Sequence, residues 1–190
     1  MPAAVTPHDP PHVVTGPAGA WPEDAAPPDA DDRHRSERDG RRLCLEALFE
    51  ADFGQRTARE VLERRIEESA ADHVAAAHAR VLVDAVVRDR VGIDAAIERA
   101  APQWPVVSLA RIDRSLLRSA MGELLHCPAT PTAVTISEWV ELARSYSGES
   151  ARKLLNGVLG RVAREASRRP RPGRPGGDQT TTDDQEEPPT

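Results

Sequence analysis

An all-α fold is predicted for the middle of this 190-residue chain by three observations. Apolar residues recur at helical spacing in every patterned segment, capping or proline punctuation separates the segments, and no window alternates with a strand's period of two. The longest pattern is LARIDRSLLRSAMGELL, Leu109 to Leu125, in which Leu109, Ile112, Leu116, Leu117, Ala120, Met121, Leu124 and Leu125 line one face. It predicts a central core helix. Arg111, Arg114 and Arg118 fall on a second face, neighbours one turn apart, suited to an acidic partner or to solvent.

Upstream, Ser36 is placed to cap a helix running to Asp52, with Leu43, Ala47, Leu48 and Ala51 buried. Its start, RHRSERDGRR, holds Arg33, Arg35, Arg38, Arg41 and Arg42, the densest basic cluster of the patterned region. Positive charge at a helix N-terminus opposes the macrodipole, so this cluster is either a solvated end or a seat for an anion. Thr57 and Glu60 form a capping box for a second helix to Glu68. Ser69 to Asp72 repeats the capping pattern ahead of a third helix, whose stripe is Val74, Ala77, Val81, Leu82, Ala85 and Val86. Gly92 is predicted to break it, leaving a short helix from Ile93 to Ala100 before Pro102, with the Trp104 indole packed on a neighbouring helix.

Beyond the central helix, Pro128 and Pro131 force an extended connection. Thr135 and Glu138 read as a capping box for a helix burying Ile136, Trp139, Val140 and Ala143. After Gly148 a last stripe runs through Ala151, Leu154, Leu155, Val158, Leu159, Val162 and Ala163. Gly122 and Gly157 each cost about 1 kcal/mol against Ala inside a helix. Gly157 therefore predicts a close helix contact, and Asn156 a buried hydrogen bond. The body, residues 33–166, is thus six or seven helices in short-loop succession.

The ends differ in composition. Residues 1–32 carry eight of the 17 prolines, six acids and no lysine or arginine, and residues 167–190 carry four arginines followed by five acids among Pro, Gly and Thr. Both ends predict disordered tails. The net charge of −6 belongs to them, since the leading tail alone carries −6, the trailing tail −1 and the body +1. Arg171-Pro-Gly-Arg-Pro175 matches minor-groove hooks only briefly and reads as solvated tail. Two cysteines, Cys44 and Cys127, are too few for a disulfide framework and predict reduced thiols in a cytoplasmic protein. The first twenty residues lack the basic start and apolar run of a secretory leader, and no stretch reaches the apolar length of a membrane span.

Chemistry-bearing motifs are sparse. Cys44, Cys127, His73, His78 and His126 lack close paired-ligand spacing, so no metal site is predicted. No glycine-rich phosphate loop, serine elbow or zinc-helix pattern occurs, so neither a cofactor nor an enzymatic activity is expected.

Several segments together resemble the NusB family of bacterial transcription antitermination factors. RRLCLEALFEAD (Arg41 to Asp52) is similar to the family's first helix, and Trp104 followed by IDRSLLRSAMGEL (Ile112 to Leu124) to its tryptophan and Val-Asp-Arg-x-Ile-Leu-Arg. TAVTISEWVELARSY (Thr132 to Tyr146) resembles Pro-x-x-V-x-I-N-E-A-V-E-L-A-K, and RKLLNGVLGRV (Arg152 to Val162) resembles Lys-Phe-Val-Asn-Gly-Val-Leu. The resemblance implies two three-helix-like halves and a binding role. With the small-subunit ribosomal protein NusE, such a protein holds single-stranded boxA RNA of rRNA leaders within the RNA polymerase antitermination complex. By position it implies RNA contacts at Arg38, Arg41, Arg42, Phe49, Arg118, Arg152 and Lys153, and a NusE contact at Asp113 and Arg114. Gly122, Ser137 and Leu154 stand where the family usually has Tyr, Asn and Phe. Fewer aromatics mean less stacking, each lost stack being worth about 1–3 kcal/mol. A second reading keeps the fold as a protein-only module, pairing with NusE or with a second copy of itself, with weak or no RNA binding.

Overall fold

The computed structural model describes Asp29 to Arg168, so the predicted tails lie almost entirely outside the described residues. Within that span the chain forms seven α-helices and no strand: α1 Ala30–Ala51, α2 Ala58–Ser69, α3 His73–Arg88, α4 Arg90–Ala100, α5 Arg111–His126, α6 Thr132–Tyr146 and α7 Glu149–Arg168, with a short 3₁₀ turn at Val106–Ser108. The first three helices pack on one another and the last four do the same. Helix α5 joins the two groups, touching α1, α3, α4, α6 and α7.

That position explains its sequence. Every residue from Ser115 to Glu123 is buried, so α5 has no solvated face along its middle two and a half turns. Leu116, Leu117, Ala120 and Met121 fill the core with Leu45, Leu62, Leu82, Ile93, Ile97, Trp139, Leu155 and Leu159, each large aliphatic contributing about 1.5–3 kcal/mol. Gly122 is where α3 comes nearest: a Cβ there would stand 2.7 Å from Val86 Cγ2.

Several local expectations shift. Helix α1 begins at Ala30 rather than Ser36, because Asp29 accepts the Asp32 amide at 2.8 Å and caps it. Ser36 sits inside the helix and donates instead to Asp72 at 2.8 Å. The Thr57–Glu60 capping box is present as predicted. Asp72 alone caps α3, and Ser69 ends α2. The α3 stripe is rotated, burying Ala75, Ala79 and Val83 while leaving Val81 exposed. The break after α3 falls at Asp89, which caps α4 by accepting the Gly92 amide at 3.2 Å. Gly92 leaves room for that cap, since a Cβ there would stand 2.3 Å from the Asp89 carboxylate and displace it.

Helix α6 starts three residues before the predicted capping box, and Thr135 is buried while Glu138 reaches to α1. Trp104 is not packed away but half exposed. Asn156 and Gly157 are exposed, with open space over the glycine, so neither makes the predicted buried contact.

Candidate nucleic-acid interface

The basic start of α1 is not a cluster of free cations. Asp31 and Asp32 lie in the first turn, where negative charge suits the macrodipole, and Asp32 accepts from Arg35 at 2.8 Å. Arg38 is 62% exposed and forms a two-pronged pair with Glu138 of α6, at 2.8 and 2.9 Å. That guanidinium holds the Glu138 carboxyl below its usual range, outweighing burial. Arg42 pairs with Asp39 at 3.2 Å.

Arg41 is a correction. It points inward, is 1% exposed, and donates from Nε and Nη2 to Glu123 at 2.9 and 2.7 Å. Trp139 Nε1 donates to the same carboxylate at 2.5 Å, so one buried acid ties α1, α5 and α6 together. Arg41 therefore cannot face RNA in this structure. Arg118 is likewise withdrawn: it is buried and donates to Asp94 of α4 at 2.7 and 2.8 Å. The acidic partner sought for the second face of the central helix thus lies within the chain, as Asp94 and as Asp52, which accepts from Arg114.

On α7, Arg152 pairs with Glu149 at 2.7 and 2.8 Å, and Lys153 approaches the same acid at 3.7 Å. Glu141 of α6 acts electrostatically on both Arg38 and Arg152, and pairs with Arg144 at 3.9 Å. Arg38, Arg144, Arg152 and Lys153 consequently share a strip crossing α1, α6 and α7, with Arg42 beside Tyr146 at its edge. Arg144 escaped the sequence reading because a lone arginine on a polar face carries no distinguishing signal.

Phe49 stands apart from this strip, eleven residues beyond Arg38 and so about 16 Å along α1. It lies edge-to-face on Phe53, ring centroids 5.4 Å apart, in a pocket of about 470 Å³ lined also by Leu45, Ile112 and Tyr146. Arg111 covers the exposed Phe53 ring at 4.5 Å, and Tyr146 donates to Glu46 at 2.7 Å. Asp113, one residue past Ile112, accepts from Ser147 at 2.6 Å. Phe49 thereby shares its pocket with Arg111 and Ile112 at the start of α5, the helix that also carries Asp113 and Arg114. The spacing of Phe49 and Phe53, one helical turn apart, was the legible sign of a shared aromatic face.

No group of three metal-ligating side chains occurs among the described residues, and burial pushes both thiols well above their ordinary range. No helix among them is long and apolar enough to cross a membrane. A strip of paired surface cations and a separate open aromatic pocket, both on a seven-helix body, define an all-helical binding domain. The chain belongs to the NusB family, whose model matches residues 38–164, a family of transcription antitermination proteins and not of enzymes. It is 40% identical over 130 residues to transcription antitermination protein NusB of Heliobacterium modesticaldum, the match spanning 68% of this chain and 63% of that one. The corresponding protein of Dehalococcoides mccartyi is 37% identical over 129 residues, 68% of this chain and 90% of its own. Among solved structures, a complex of the antitermination factors NusB and NusE with double-stranded RNA superposes with a TM-score of 0.63 at 26% identity, covering 69% of this chain and 98% of that one.

Proposed function

We propose that this protein is a cytoplasmic antitermination factor that holds boxA RNA of rRNA leader transcripts jointly with NusE, within the RNA polymerase antitermination complex. The observation that carries the reading is the strip of exposed cations across α1, α6 and α7: Arg38, Arg42, Arg144, Arg152 and Lys153. Each is held by a carboxylate in an exposed ion pair, and such pairs are worth about 0–1 kcal/mol. RNA phosphates replace those carboxylates at little cost, while single-stranded bases stack on guanidinium planes. NusE takes the aromatic pocket together with Asp113 and Arg114, which follow its lining residue Ile112 on α5.

The test is fluorescence anisotropy of a labelled boxA RNA against a scrambled RNA, with and without NusE. Five phosphate contacts predict a log–log salt slope of about −3.5, and the combined change Arg38→Gln, Arg42→Gln, Lys153→Gln flattens it by about 2. An unchanged slope in that variant, or equal affinity for the scrambled RNA, defeats the reading. A protein-only module is favoured by one observation, the near-neutrality of the strip, and predicts NusE binding with no boxA selectivity.

A further inference from the structure

The opposite end of α7 carries a second set of cations that the strip does not use. Arg161, Arg164 and Arg168 recur at i, i+3 and i+7, so they share one helix face, and all three are exposed. Arg161 pairs with Glu165 at 3.1 Å and also donates to the Ala100 carbonyl at the end of α4, at 3.3 Å. Arg164 and Arg168 pair with no carboxylate among the described residues. The Arg164 guanidinium lies back along the helix, 3.2 Å from where a Cβ on Gly160 would stand, so the glycine leaves it room.

Positive charge is concentrated here. From Arg161 to Arg174 there are six arginines and one acid, since Arg169, Arg171 and Arg174 follow directly in the sequence. On α4, Arg99 and Glu98 offset each other. The turn that receives Arg161 also presents an aromatic ring: the Trp104 amide donates to the Ala101 carbonyl at 2.9 Å, and its side chain is 50% exposed. A helix face of cations whose Arg161 docks on the turn that carries an exposed ring suits single strands, with arginines on phosphates and a base on the indole.

We infer that Arg161, Arg164, Arg168 and Trp104 form a second contact for single-stranded RNA. Its arginines lie about 14 to 24 Å along α7 from Arg152, counting nine to sixteen residues, and take the transcript that flanks the segment held by the first strip. The inference rests on the RNA-binding reading only for the identity of the strand, not for the site. Its recognition is of backbone and ring, so it carries no sequence preference of its own.

The experiment uses the full chain, with boxA RNAs of about 12 and about 30 nucleotides, the shorter within one strip's reach and the longer spanning both. Three added phosphate contacts make the salt slope of the longer RNA steeper by about 2, so its affinity falls about 20-fold more between 50 and 200 mM salt. The variant Arg161→Gln, Arg164→Gln, Arg168→Gln removes that difference and leaves the short RNA unaffected. In a Trp21→Phe background the longer RNA also quenches tryptophan emission, and Trp104→Ala abolishes the quenching, because the remaining Trp139 is buried. Equal slopes for the two RNAs in the wild type, or a triple variant that retains the difference, overturn the inference. Loss of short-RNA binding alone, with the longer RNA still sensitive to the three arginines, defeats the first strip and upholds the second.

Discussion

Replacing Arg41 by methionine separates a structural arginine from those proposed to meet RNA. The wild-type guanidinium donates twice to Glu123, at 2.9 and 2.7 Å, and both side chains are sealed from water. Methionine fills much of the space but leaves a buried carboxylate with Trp139 as its remaining donor and His78 Nε2 at 3.7 Å. Breaking one side of a buried pair costs about 3–5 kcal/mol, a large part of the 5–15 kcal/mol that holds a domain of this kind together. At about 2–4 °C per kcal/mol the melting temperature falls by about 6–20 °C. Arg38→Met, whose partner Glu138 becomes solvated, changes stability by about 1 kcal/mol or less. Urea denaturation followed by far-UV circular dichroism measures both, and RNA anisotropy below each melting temperature measures function. Arg41→Met that keeps the wild-type urea midpoint but loses RNA refutes the buried placement of this arginine.

The two helix glycines diverge. Gly40→Ala puts a methyl 2.7 Å from the Ala75 carbonyl and 3.1 Å from His78 Cβ, so α1 and α3 are forced apart at about 1–3 kcal/mol. Gly157→Ala meets nothing within 4 Å and gains about 1 kcal/mol of helix propensity, raising the melting temperature; a fall in its place removes the argument. His78 supplies a pH dependence. Burial lowers its pKa, with Glu123 opposing and Arg41 assisting, so the folded chain binds that proton less readily than the unfolded one. Stability is therefore full above the unfolded value of about 6.5 and declines as pH falls below it. His78→Gln flattens urea midpoints between pH 7.5 and 5.5, and an unaltered slope contradicts the assignment.

Periodicity made the helices legible because a buried stripe repeats every 3.6 residues whatever it packs against. The same rule groups residues on a face without saying which face meets another helix. Arg41 and Arg42 are adjacent in sequence, yet one is sealed and one is at the surface, because α3, α5 and α6 converge on the first. The partner of Arg41 lies 82 residues away and that of Arg38 lies 100 away, distances over which one sequence carries no pairing signal. Trp104 misled for the opposite reason. An indole is usually a packing residue, but this one follows α4 in a turn with no helix over it. Glycine was equally ambiguous: Gly122 marks a close approach and Gly157 an open surface, although both sit inside helical apolar patterns.

The carboxylates that hold the strip's cations have a kinetic consequence. A surface whose charges are already matched in pairs projects little field beyond a Debye length of about 8 Å, so it does not accelerate encounters with any passing polyanion. Association of RNA with the strip itself then proceeds near the unsteered rate of about 10⁵–10⁶ per molar per second, and its affinity is set by how long a correctly spaced strand remains. Cellular RNA is abundant and mostly irrelevant to such a surface. A face that attracts weakly and releases slowly only when several phosphates exchange together stays unoccupied until its own transcript arrives.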